Sequence, residues 1–148
     1  MKPGLSATDL RFVVSRIPKD VRNLMMKTPG LLLGGGFIRE TIAQNKPNDV
    51  DLFAFAPSEA ECKAILTLGA HKISENRQTK AYTTQNAISI FTSARMPIQF
   101  ITRWTFATPE DLVDSFDFTV CQACVWFNDG FWKSLISESF YADLAAKR

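Results

Sequence analysis

Residues 31–55, LLLGGGFIRETIAQNKPNDVDLFAF, constrain the fold of this chain more than any other stretch. Three leucines make an apolar strand pattern and run directly into Gly34, Gly35 and Gly36. An amphipathic segment follows, with Phe37, Ile38 and Ile42 spaced for one face of a short helix. Asn45, Lys46, Pro47 and Asn48 break it. A second strand pattern then starts at Asp49 and continues through Val50, Asp51, Leu52 and Phe53. The order is strand, glycine turn, helix, turn and a strand with alternating carboxylates.

Each part has a chemical consequence. Glycines after a strand allow positive φ and let the backbone approach a ligand closely. A helix that starts there presents unpaired N–H groups and a positive dipole end, which favour an anion such as phosphate. Arg39 lies a little over one turn further on, and its guanidinium can reach the same anion. On a strand, Asp49 and Asp51 point to one face, because side chains alternate. Adjacent carboxylates repel unless something neutralises them, and Mg2+, a hard cation that takes oxygen ligands, does so. An anion cradle facing a carboxylate pair predicts a metal–nucleotide site.

Gly35-Gly36-Phe37-Ile38-Arg39, followed after a short loop by Asp49-Val50-Asp51-Leu52, resembles the signature of the DNA-polymerase-β-like nucleotidyltransferases. The likeness is strongest to the head domain of CCA-adding enzymes and bacterial poly(A) polymerases. Glu40 takes the acid place that often follows the arginine, and Lys46, Pro47 and Asn48 fill the Pro-containing loop. The resemblance implies an α/β (α+β) fold with a mixed, mostly antiparallel sheet flanked by helices. It implies Asp49 and Asp51 as catalytic ligands of Mg2+, Gly34, Gly35 and Gly36 as the triphosphate turn, and Arg39 as a phosphate or structural partner. In the family a third carboxylate on a later strand completes a two-metal site. That strand reads here as residues 97–102, and Gln99 stands at the expected position. A neutral amide is a poor activator of a nucleophile. Asp117, between Phe116 and Phe118, is the nearest acid flanked by apolar residues and is the third catalytic candidate. The helical domains with which CCA-adding enzymes choose a base and hold tRNA have no counterpart in this sequence. CCA addition by this chain alone is therefore not expected.

Three functions are compatible with these residues. The first is a minimal nucleotidyltransferase that binds a Mg–nucleoside triphosphate and transfers a nucleotidyl group to an RNA end, a protein or a small molecule. The second is a catalytically inactive copy of the fold that binds or inhibits a host protein, a reading Gln99 favours. The third is a toxin–antitoxin component. The expected partners are a nucleoside triphosphate and either a tRNA-like RNA acceptor or a host protein. Arg95, Arg103 and Trp104, with Arg77 and Lys80, fall in predicted loops and suit phosphates and stacked bases. They also read as scattered solvated charges.

Length and composition set the remaining bounds. A chain of 148 residues is expected to form one domain, residues 1–148, with a genuine core. Apolar residues at 46% and charged residues at 22% fit a soluble globular protein. A net charge of +2 is too small to argue for nucleic acid by itself. Three cysteines, an odd number, predict reduced thiols and a cytoplasmic setting. Cys121 and Cys124 form a CxxC, but no second pair accompanies it and the only histidine, His71, is distant in sequence. Small buried groups on a strand are the expectation there. No apolar run reaches membrane-span length, and the first residues lack the apolar core of a signal peptide.

Along the chain, residues 6–27 read as helix interrupted at Pro18, with Ser6 and Thr8 as cap candidates. Ser58 caps a helix that Gly69 is expected to close, followed by a short strand over 70–74 and a polar loop over 75–80. Strands are expected over 81–84 and 87–91, a loop over 92–96 and a strand over 97–102. Thr108 and Pro109 mark a helix start. A long strand over 118–127 turns at Asn128, Asp129 and Gly130, and residues 137–146 close as a helix.

Overall fold

The computed structural model describes residues 2–115 and 122–146. In chain order its elements are α1 (Ala7–Arg16), α2 (Lys19–Lys27), β1 (Leu31–Gly34), α3 (Gly36–Ile42), β2 (Val50–Ala54), α4 (Glu59–Arg77), β3 (Ala81–Thr83), β4 (Ala87–Thr92), β5 (Arg95–Ile101), α5 (Pro109–Val113), β6 (Ala123–Asn128), β7 (Phe131–Ile136) and α6 (Phe140–Ala145). The strands form one sheet in the order β3-β4-β5-β2-β1-β6-β7. The pairs are antiparallel except β2 with β5, which run parallel because α4 and the β3–β4 hairpin lie between them in sequence. The result is the mixed, mostly antiparallel α/β sheet that the sequence implied.

Alternation divides the strand residues between two faces. Leu31, Leu33, Val50, Leu52, Ile90, Ile98 and Phe100 point to one face and join Val13, Val21, Met25, Leu66 and Ile73 from α1, α2 and α4 in the main core. Each fully buried Leu, Ile or Phe there contributes roughly 1.5–3 kcal/mol of transfer free energy. Leu32, Phe53, Cys124 and Trp126 point to the opposite face and pack with Leu112 and Val113 of α5 in a smaller core. Next to Phe53 that second face turns polar. Asp51, Gln99 and Ser89 lie in register on β2, β5 and β4.

Side-chain caps fix three helix starts. Ser6 accepts from the Asp9 amide, Ser58 from the Glu61 amide, and Thr108 forms a reciprocal capping box with Asp111 beside Pro109. Two expectations are corrected. Gly69 does not close α4, and residues 70–74 are helix rather than strand; α4 continues to Arg77 and ends at Gln78, whose φ is 56°. The glycine serves packing instead. A Cβ at position 69 would lie 3.0 Å from Phe100 Cε2 and 3.4 Å from Leu24 Cδ2, so its absence lets the helix lie close on the sheet. Residues 92–96 are not an open loop. Thr92 pairs with Arg95 across a tight turn in which Ala94 has φ 65°. The second hairpin follows the expected chemistry, since Asp129 and Gly130 both have positive φ and join Asn128 to Phe131.

Cys62 and Cys124 are both buried, and the Cys62 thiol donates to the carbonyls of Ala54 and Phe106. The expected strand over 118–121, Cys121 and the candidate Asp117 lie outside the described residues. No helix among the described residues is long and apolar enough to cross a membrane.

Candidate active site

β1 and β2 are the sheet's central strands, and their pairing builds the site. Gly34 is in register with Asp51, so the glycine turn leaves β1 beside that carboxylate. Gly35 follows with φ 69° and ψ −157°, a conformation open to glycine and strained for other residues. A Cβ on Gly35 would lie 2.7 Å from Asp51 Oδ2, so backbone and carboxylate are in contact. Gly36 differs. It has ordinary φ, and a Cβ there would meet nothing within 4 Å. Packing does not require a glycine at 36, and the space in front of it is open.

Asp49 immediately precedes β2, and Asp51 is its second residue. Asp51 lies on the second face beside Gln99, and Asp49 is near enough for its charge to act on Asp51. Burial raises the Asp49 carboxyl above its ordinary value. Asp51 is pushed further, to about 7, first by burial and then by the charge of Asp49. The neighbouring Phe53 and the second apolar core account for the low polarity around it. Asp51 Oδ1 is buried without a hydrogen-bond partner. A carboxylate oxygen in that state costs free energy unless a proton or a cation satisfies it.

Gln99 sits directly beside Asp51 on β5, where the resemblance expects a third carboxylate. Ser89 lies next to Gln99 on β4 and extends the polar floor. Nothing in the sequence marks Ser89, because a serine on a half-exposed strand is commonplace. Among the described residues no group of three or more His, Cys, Asp or Glu gathers at one point. Two carboxylates, Asp49 and Asp51, are the oxygen donors present there, the kind of donor a hard cation takes. Among the described residues no third carboxylate joins Asp49 and Asp51.

Arg39 lies on the last turn of α3, half-buried, and forms no ion pair with Asp49 among the described residues. It lines a cleft of about 580 Å³ with Glu40, Asn45 and Leu144 of α6. Among the basic residues considered for nucleic acid, Arg77 is corrected. Its side chain is 1% exposed and is bound to Asp20 at 2.7 and 3.1 Å, so it is an internal ion pair rather than a phosphate ligand. Arg95 approaches the same aspartate at 3.6 Å, and Arg103 stacks on Trp104 at 4.6 Å.

Residues 5–147 match the sequence model of the Gabija anti-defense 2 family. The chain belongs to that family. Comparison with curated proteins found no match. Solved structures with the same fold include the Thermotoga maritima CCA-adding enzyme complexed with tRNA, at 19% identity and a TM-score of 0.62, over 98% of this chain and 35% of that one. A CCA-adding enzyme in complex with CTP aligns at 19% identity and a TM-score of 0.64, over 99% and 35% of the two chains. One in complex with ATP aligns at 16% identity and 0.62, over 98% and 36%. This chain spans about a third of the length of those enzymes. Identities this low establish the nucleotidyltransferase fold alone. Within it, this member of the anti-defense family has its glycine turn beside Asp51, with Gln99 next to that aspartate.

Proposed function

We propose that this chain binds a Mg–nucleoside triphosphate between the Gly34–Gly36 turn and the Asp49/Asp51 pair, and that it counters a Gabija defence by transferring a nucleotidyl group. The observation that supports this best is Asp51. Its carboxylate lies against Gly35, its Oδ1 has no partner, and burial together with Asp49 keeps it proton-hungry. A cation supplies what the fold leaves out. Asp49 and Asp51 are the residues that would hold Mg2+, which when bound neutralises charge on the phosphate oxygens. Asp51 gives up its proton on loading, and the open backbone at Gly36 leaves room for the phosphates. The short α3 adds only a modest dipole, so the carboxylates carry the site. CTP and ATP in the complexes of the CCA-adding enzymes add support for a nucleotide ligand.

The test is titration of ATP, CTP, GTP and UTP with Mg2+ against wild type and the Asp49→Ala/Asp51→Ala variant. Saturable, Mg2+-dependent binding of at least one nucleotide, lost in the variant, is expected. Failure of wild type to bind any of the four overturns the proposal.

A second reading has its own observation. With Gln99 at the third position, the chain acts by binding a defence protein and performs no transfer. Labelled nucleotides incubated with RNA and cell extract separate the two. Incorporation by wild type that Asp51→Ala abolishes favours transfer, whereas incorporation only by Gln99→Asp favours the binding protein. A toxin–antitoxin role remains a third arm, and expression toxicity abolished by Asp51→Ala supports it.

A further inference from the structure

We propose that a cleft on the helical side of the sheet is a second ligand site, separate from the aspartate pair, for a planar anion of the nucleotide class. The cleft has a volume of about 500 Å³ and lies between α1, α3, the 44–47 loop and the start of β5. That volume suits a nucleoside-sized ligand.

The wall has two chemistries. Phe12, Pro47 and Met96 give it an apolar surface, and the Arg16 guanidinium lies over the Phe12 ring at 5.3 Å. Such a paired cation and ring is a platform on which a base stacks. Arg16 from α1 and Lys46 from the 44–47 loop bring positive charge, and the lining contains no acid among the described residues. Glu40, next to this loop, accepts from the Asn45 side chain at 3.1 Å.

Thr41 is the independent observation. It is 2% exposed, it belongs to the cleft wall, and its Oγ1 has no hydrogen-bond partner. A buried hydroxyl without a partner is destabilising, and a polar edge of a bound ligand relieves it. The sequence around it is arranged for access rather than for closure. Gln44 holds positive φ, 64°, at the end of α3 and turns the loop over the cleft. The same loop continues through Lys46 and Pro47 into Asp49, so a ligand here contacts the segment that places the first aspartate.

The experiment uses AMP as the probe, with adenosine and inorganic phosphate as separate arms. It is run in EDTA on the Asp49→Ala/Asp51→Ala variant, so that the first site is silent and its failure cannot be mistaken for failure here. Saturable AMP binding is expected, with adenosine and phosphate each weaker by about tenfold or more, since each keeps only half of the contacts. Arg16→Ala and Lys46→Ala, both at exposed positions, should each weaken AMP by about tenfold. Thr41→Val should weaken it several-fold while Tm holds or rises, because the unpaired hydroxyl is removed. No saturable AMP binding, or binding indifferent to both Arg16→Ala and Lys46→Ala, overturns the proposal and leaves a cleft that holds only water. Phosphate bound as tightly as AMP overturns the assignment of a planar ligand.

Discussion

Replacing Asp51 by Asn should stabilise the metal-free protein, and only at high pH. The carboxyl is held at about 7 in the folded chain, against 3.8 as its ordinary value. Three units at about 1.4 kcal/mol each give an upper limit of roughly 4 kcal/mol for ionising it in place. Residual exposure and local relaxation reduce this to about 2–3 kcal/mol. The sign follows from proton binding. Between 3.8 and 7 the folded chain holds a proton that the unfolded chain has lost, so stability falls as pH rises through that window and is flat on either side. Asparagine has the same shape and never ionises, so it escapes the loss. Thermal unfolding in EDTA should show wild type and Asp51→Asn alike near pH 4. At pH 8 the variant should melt roughly 4–12 °C higher, given about 2–4 °C per kcal/mol at this size. The same gain at both pH values, or a variant less stable than wild type at pH 8, refutes the argument that burial and Asp49 perturb this group.

The two glycines of the turn should separate fold from function. Gly35→Ala combines positive φ with a Cβ 2.7 Å from Asp51 Oδ2, and chemical denaturation should show a loss of about 1–3 kcal/mol. Gly36→Ala has room and ordinary φ, so stability should hold or rise by about 0.5–1 kcal/mol while Mg–nucleotide affinity falls. Gly69→Ala should destabilise by about 1–3 kcal/mol despite better helix propensity, because the methyl group presses on Phe100 and Leu24. Arg77→Ala leaves Asp20 half of a broken buried pair and should cost about 3–5 kcal/mol. Burial alone would raise the Asp20 carboxyl, but Arg77 and, less closely, Arg95 hold it below its usual range. Its contribution is therefore present above pH 4 and lost as pH falls further, and wild type should lose this advantage over Arg77→Ala in acid.

The parts that were legible in the sequence are local. Ser6, Ser58 and Thr108 announce helix starts because a cap acts within one turn. The turn at Asp129 and Gly130 is legible because few residues tolerate its φ values. The glycine turn and the paired aspartates are close in sequence, so their approach in space needed only two adjacent strands. What was missed depends on distant partners. Gly69 looked like a helix stop, and only Phe100, on a strand two hairpins away, explains it as a contact. Arg77 looked like a loop cation, and only Asp20 of α2 makes it internal. Ala94 carries no turn signal, yet register forces its φ. The depth of Asp51 relative to Asp49 follows from Phe53 and the α5 core, which alternation alone does not reveal. The Thr41 cleft draws on α1, α3 and β5, so no contiguous pattern marks it.

The most direct measurement is the proton released when Mg–nucleotide binds at pH 7, obtained by calorimetry in two buffers of different ionisation enthalpy. Because Asp51 is near its midpoint there, loading a cation should expel about half a proton from it. The account predicts that wild type releases this fraction and that Asp51→Asn does not. Binding with no proton difference between the two chains, or no binding at all, contradicts it.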